Sequence, residues 1–216
     1  MLDWAYVNGF RESEAPMRSL SKGLPRQPKD DGHFAAMPYT EIPAFIAKLR
    51  ERSSVSRVAM EVLILAAARS GEIRGATWSE FDLDKAMWSI PANRMKMGRP
   101  HFVPLAPQVR EALERAKAFN APCTDLVFPG MKLKTPMSDM TLLKILRDME
   151  AGVTVHGFRS AFRDWVADKT DYPGEVAEAA LAHTNSNKVE AAYRRTDFLE
   201  KRKALMADWA NFCVGG

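Results

Sequence analysis

The stretch His156-Gly157-Phe158-Arg159-Ser160-Ala161-Phe162-Arg163-Asp164-Trp165-Val166 decides how this chain is read. Phe158, Phe162, Trp165 and Val166 recur at helical spacing, so one side of a helix over residues 156–168 belongs to a core. The other side carries His156, Arg159 and Arg163. His156 and Arg159, at i and i+3, share a face and can address the same group. A guanidinium is permanently charged and offers a planar fork of N–H donors, while an imidazole moves protons near neutral pH.

Four further segments matter, in chain order around that helix: Ala68-Arg69-Ser70-Gly71-Glu72-Ile73, Arg94-Met95-Lys96-Met97-Gly98-Arg99, Leu181-Ala182-His183 and Ala191-Ala192-Tyr193-Arg194-Arg195. Singly, each is ordinary. A tyrosine after two alanines is more often a half-buried core aromatic, a histidine at a helix end a cap, and a lysine beside Gly98 a solvated hairpin tip. Arg69 and Glu72 would more often form a surface ion pair of little consequence. HxxR followed by Leu-Ala-His and then by a tyrosine ten residues later, with ArgxxGlu and a hairpin lysine upstream, is a specific set. In this order it closely resembles the tyrosine recombinase family, the phage-type integrases, and within it the integrases of prophages and genomic islands. The resemblance covers roughly Ala36 to the end of the chain.

The chemistry that the resemblance implies is a metal-free attack of a tyrosine on a DNA phosphodiester. Nonbridging oxygens repel a nucleophile and gather charge in the transition state, so a catalyst must hold preorganised donors against them. By resemblance Arg69 and Arg159 take that role, Glu72 orients Arg69, and Tyr193 is the nucleophile. A phenol with a pKa near ~10 needs a proton acceptor, for which His156 is the candidate. His183 is expected to donate a hydrogen bond to a nonbridging oxygen. Protonation of the departing 5′-hydroxyl falls to a lysine. Lys96, Lys132 and Lys134 are all chemically eligible, and the resemblance favours Lys96 because it precedes Gly98 and the Phe102-Val103-Pro104-Leu105 strand. No Walker-type glycine loop, HExxH or dense carboxylate cluster occurs, so neither a cofactor nor a metal is expected.

The 216 residues suffice for one sizeable domain. A hydrophobic share of 46% with 27% charged residues describes an ordinary globular chain. No apolar run approaches the ~18 residues of a membrane span, and the first residues lack the pattern of a secretory signal, so a cytoplasmic protein is expected. Cys123 and Cys213 have no CxxC or Cys/His neighbours, which argues against a zinc site or a disulfide framework. The net charge of +4 permits nucleic-acid binding without demonstrating it.

The fold class expected is α+β, mainly α, with the tyrosine recombinase catalytic domain fold and a small antiparallel sheet. A short helix over 2–10 precedes a linker rich in Pro, Gly, Ser and charge. Thr40 is expected to cap a helix with Ile42, Phe45, Ile46 and Leu49 on one face, and a second helix is built on Val55, Val58, Val62 and Leu65. A β-hairpin over 87–105 holds Lys96 near its tip. Further helices are expected at 107–119, 138–150, 156–168, 175–181, 188–194 and 197–212. Leu199, Met206, Trp209 and Phe212 of the last form an apolar stripe for its own domain or for a neighbouring subunit. Residues 1–36 are read as a remnant of a core-binding domain helix plus linker, and residues 37–216 as the catalytic domain. Complete members carry a core-binding domain, and often an arm-binding domain, ahead of the catalytic one. The resemblance further implies double-stranded DNA as partner, a homo-tetramer assembled on it, and a free chain that is monomeric. The alternatives are a truncated, inactive DNA-binding remnant and a type IB topoisomerase-like strand cleavage.

Overall fold

The computed structural model describes residues 2–14, 23, 35–183 and 198–215. Contacts divide the chain into two units, Met1–His33 and Phe34–Gly216. The first contains helix α1 (Leu2–Val7), which buries none of its residues, with Trp4 stacked on Phe10 at 5.6 Å between ring centroids.

The second unit is built around a helix that water hardly reaches. Helix α3 (Val55–Leu65) buries every residue from Val58 to Leu65, and α2 (Ile42–Arg50), α5 (Pro107–Ala116) and α6 (Asp139–Asp148) pack around it. A helix apolar all round is a core element. Its one buried acid, Glu61, accepts from Arg50 Nη2 at 2.7 Å and from Arg115 Nη2 at 2.6 Å, which ties α3 to both neighbours. Ser54 caps α3 by accepting from the Arg57 N–H. The start of α2 differs from expectation. Thr40 lies in a single 3-10 turn, Tyr39–Glu41, and α2 begins at Ile42 with no side-chain cap. Pro43 in the first turn lacks the N–H a cap would satisfy, and its φ suits the helix start.

The sheet has three antiparallel strands in the order β1 (Phe81–Asp82), β2 (Met87–Ile90), β3 (His101–Pro104). Trp88 faces Val103 across β2 and β3, both buried, while Ser89 and Phe102 point outward. That is the period-2 alternation of a half-buried sheet. β1 extends the expected hairpin by a strand of two residues, too short to leave a pattern in the sequence; its Phe81 stacks on Trp88 at 5.1 Å.

The decisive stretch forms α7 (Gly157–Lys169), with His156 as its N-cap. Its apolar side buries Phe158 against Phe45, and Phe162 and Trp165 against Trp209. Gly157 is obligatory on steric grounds, because a Cβ there would stand 2.5 Å from the Ala35 carbonyl oxygen where the incoming chain crosses the helix start. After α8 (Gly174–Ala180), the described chain resumes before α9 (Leu199–Cys213). In α9, Met206 and Trp209 are buried while Leu199 and Phe212 are partly covered, and the Trp209 indole donates to the Ile64 carbonyl at 2.9 Å. The stripe therefore packs on α2, α3 and α5 of its own unit. No helix among the described residues is long and apolar enough to cross a membrane.

Candidate active site

Two helix ends make the site. α3 stops at Ala66, and Ala67 turns left-handed at φ 48° while the Ala68 N–H reaches back to the Leu63 carbonyl at 3.0 Å. α8 stops in the same way: Ala182 has φ 48°, and the His183 N–H bonds the Glu178 carbonyl at 2.9 Å. Both turns close with the six-to-one bond of a Schellman motif, but with alanine where glycine is usual. Each delivers a candidate residue: Arg69 comes immediately after the closing Ala68 in one case, and His183 is itself the closing residue in the other.

Arg69 is extended and occupies the N-cap position of the short helix α4 (Ser70–Arg74). Glu72, in the first turn, is 6% exposed and uses both oxygens on it: Oε2 accepts the Arg69 backbone N–H at 2.7 Å and Oε1 accepts from Nη1 at 2.8 Å. Arg69 Nη2 donates to the Leu181 and Ala182 carbonyls at 3.1 and 3.3 Å. Arg159, in the first turn of α7 and only 4% exposed, gives Nη1 to the Ala67 carbonyl at 2.6 Å and Nη2 to the Leu181 carbonyl at 2.5 Å. The two guanidinium groups therefore converge on one backbone oxygen, although 90 positions separate them in the chain.

Convergence has an electrostatic signature. Burial, and next the positive charge of Arg69, pull the Arg159 pKa down to about 10, which leaves it charged at neutral pH. Two like charges in partial burial, partnered mostly by neutral carbonyls, leave an excess of positive potential that an anion would relieve. The Arg159 Nε–H is buried with no acceptor among the described residues. His156, at the N-cap, has its pKa lowered by partial desolvation first and then by Arg159, Arg69 and His183. His183 Nε2 stands 3.1 Å from Arg159 Nη2, and its Nδ1 stands 2.8 Å from Glu178 Oε2. Arg69, Arg159, His156 and His183 are thus one cluster, with Glu72 behind it.

Lys96 lies outside that network. It is exposed in the turn between β2 and β3, where Gly98 takes φ 63°, and it makes no ion pair among the described residues. Lys132 and Lys134 are likewise exposed, on the loop before α6. Tyr193, and the expected helix 188–194, lie outside the described residues.

Several residues of the site escape the sequence reading. Glu178 pairs with both His183 and Arg163, the latter at 2.7 Å. Arg94, two residues before Lys96, donates to both oxygens of Glu80 and to the Glu72 carbonyl, so the hairpin base is strapped to α4. The Trp88 indole donates to the same Glu80 at 2.9 Å. His101, at the start of β3, reaches the Ala180 carbonyl at 3.2 Å, and burial above all lowers its pKa to about 4. The Glu178-x4-His183 spacing was visible in the sequence; its bond forms only because Ala182 reverses the chain between them.

Residues 36–200 match the sequence profile of the phage integrase family. The integrase of Enterobacteria phage P4 is 34% identical over 200 residues, covering 83% of this chain and 45% of its own. The prophage integrase IntZ of Escherichia coli K12 is 34% identical over 199 residues, covering 91% and 48%. The chain thus spans about half the length of these curated relatives. Among solved structures, a lambda integrase (residues 75–356) dimer bound to a core site has a TM-score of 0.59 at 18% identity, over 91% of this chain and 70% of that one. A lambda integrase tetramer bound to a Holliday junction has a TM-score of 0.55 at 15% identity, over 84% and 56%. At such identities the likeness shows the fold, a recombinase catalytic domain.

Proposed function

The chain belongs to the phage integrase family, and from that premise we propose that it is a site-specific tyrosine recombinase. It cleaves and rejoins double-stranded DNA through a 3′-phosphotyrosyl intermediate, for integration or excision of a mobile element. The observation that carries this reading is the shared Leu181 carbonyl: two guanidinium forks from distant segments meet at one point, beside two imidazoles. Preorganised cations of that kind are what a phosphoryl transition state requires.

In the proposed reaction the Tyr193 oxygen attacks the phosphorus and its proton passes to His156, whose lowered pKa leaves it neutral and able to accept. The P–O5′ bond breaks, and Lys96 supplies a proton to the departing 5′-oxygen. Arg69 and Arg159 hold the nonbridging oxygens throughout. A 5′-hydroxyl from another strand reverses the step and releases Tyr193, so phosphodiester energy is conserved in the covalent bond. By analogy with the lambda integrase assemblies, the working form is a tetramer on DNA.

The test is covalent capture on a nicked suicide duplex, in the presence of EDTA. The unmodified chain should form a denaturation-resistant DNA adduct, and Tyr193→Phe should bind the same duplex without forming one. An adduct persisting in Tyr193→Phe would remove the assignment of the nucleophile. Binding without an adduct in the unmodified chain would reduce the protein to a DNA-binding remnant.

A further inference from the structure

We infer that Glu178 is a positioning residue that makes engagement of the scissile phosphate take up one proton at His183. The inference rests on the phosphodiester-cleavage reading above and adds a proton-linked control to its site.

The hydrogen bonds around His183 fix its tautomer. An arginine nitrogen only donates, so His183 Nε2, 3.1 Å from Arg159 Nη2, must offer its lone pair. Nδ1 then carries the hydrogen and donates it to Glu178 Oε2 at 2.8 Å. In this state His183 is an acceptor toward the site. A phosphate oxygen is also an acceptor, so the imidazole as it stands cannot bond one through Nε2.

Two changes would turn Nε2 into a donor. Moving the proton from Nδ1 to Nε2 would leave a bare lone pair facing the Glu178 carboxylate at hydrogen-bond distance, two acceptors with nothing between them. Adding a proton to Nε2 keeps the Nδ1–H bond to Glu178 and sets an imidazolium against a carboxylate. The second is the favourable route while residue 178 is a carboxylate.

The charges facing His183 explain why the proton arrives with the substrate. From α7 come Arg159, Arg163 and, at the N-cap, His156; from the α4 end comes Arg69 with its partner Glu72; from α8 comes Glu178. An imidazolium at His183 would stand among these cations with one neighbouring carboxylate, which Arg163 already shares. A dianionic transition state, or the phosphodiester itself, reverses that balance. Glu178 keeps the imidazole oriented in both states.

The experiment uses the full chain and a nicked duplex on which the unmodified protein forms an adduct. In a Tyr193→Phe background, affinity for that duplex is measured from about pH 6 to pH 8.5, the histidine range and above. Uptake of one proton predicts an affinity falling toward tenfold per pH unit as pH rises. Glu178→Gln should flatten this slope, because a glutamine amide can donate to Nδ1 and so permits the neutral Nε2–H tautomer. His183→Gln, a neutral donor, should flatten it as well. His156 titrates in every variant, and because His183 is one of the charges that lower its pKa, the comparison that isolates His183 is Glu178→Gln, which keeps both imidazoles. In parallel, 15N spectra of the imidazole should show a single N–H on His183 in the free chain and two in the complex. Equal slopes with and without Glu178, or a neutral His183 in the complex, would overturn the inference while leaving the recombinase reading intact. Failure to form an adduct at any pH would overturn that reading itself.

Discussion

Arg159 and Lys96 are proposed to serve the same phosphate, yet the protein holds them in opposite ways. Arg159 is 4% exposed, its guanidinium bonded to two backbone carbonyls and one imidazole. Lys96 stands in solvent in a glycine turn, with no ion pair among the described residues. The difference suits the work proposed for each. A group that stabilises charge must not reorganise when charge appears, so it is fixed in advance. A group that delivers a proton to a leaving oxygen must move with that oxygen, and a four-carbon stem on a turn allows it. What the structure fixes near Lys96 is the base of the turn, through Arg94.

The largest effect should come from the fixed side of this comparison. Arg159→Ala is expected to lower the rate of adduct formation by more than about 10³-fold, since loss of a single preorganised donor already costs about 10²- to 10³-fold. It should also lower the melting temperature, because the Ala67 carbonyl loses its donor, at about 1 to 3 kcal/mol for a buried unpaired group, while the Leu181 carbonyl keeps only Arg69. Arg69→Ala should match the rate loss at the lower end and cost the fold less, as its side chain is 26% exposed. Adduct kinetics beside thermal unfolding separate the two. If Arg69→Ala proved the more destabilising, Arg159 would not be the fixed member of the pair.

On the mobile side, Lys96→Ala should slow adduct formation by about 10²-fold or more, the usual scale of general-acid catalysis. Replacing the bridging 5′-oxygen of the DNA by sulfur should restore most of that loss, because a thiolate leaves without a proton. Arg94→Lys keeps the charge but cannot reach Glu80 and the Glu72 carbonyl together. It should cost roughly tenfold, and the sulfur substrate should rescue it too if Arg94 acts by placing the lysine turn. An Arg94→Lys defect that sulfur leaves untouched would detach the strap from the leaving-group step.

The sequence carried the elements of this comparison unequally. Helical period in apolar residues exposed α2, α3 and α7, and the alternation around Trp88 and Val103 exposed the hairpin, since burial leaves a repeating mark. The segments bearing Arg69, His156, Arg159 and His183 were legible as an ordered set, and folding brings those four together. Of their partners, only Glu72 beside Arg69 was. The acceptors that gather the arginines are the carbonyls of Ala67, Leu181 and Ala182, and a carbonyl is common to every residue. The turns that aim them use alanines at positive φ, where sequence rules look for glycine. Thr40 looked like a cap and yielded to Pro43 one turn later. Arg94 and Glu80 meet across the sheet, a pairing set by β1, whose two residues show no period.

Those two alanines allow the finest test of how the fixed side is built. A left-handed residue with a Cβ costs about 1 to 2 kcal/mol, which glycine avoids, while glycine gives back about 0.4 to 1 kcal/mol through a freer unfolded chain. The methyl of Ala182 is only partly covered, so Ala182→Gly should raise stability by up to about 1 kcal/mol. Ala67 is 2% exposed, and deleting its methyl also forfeits about 0.8 kcal/mol of burial, so Ala67→Gly should come out close to neutral. Denaturant unfolding of the two variants checks the order. If both turns exist to present carbonyls to the arginines, adduct rates should stay within about threefold in each, since glycine holds the same φ and leaves the oxygen where it was. A large rate loss at Ala182 with stability unchanged would mean that the strained alanine itself keeps the Leu181 carbonyl between the two guanidinium groups.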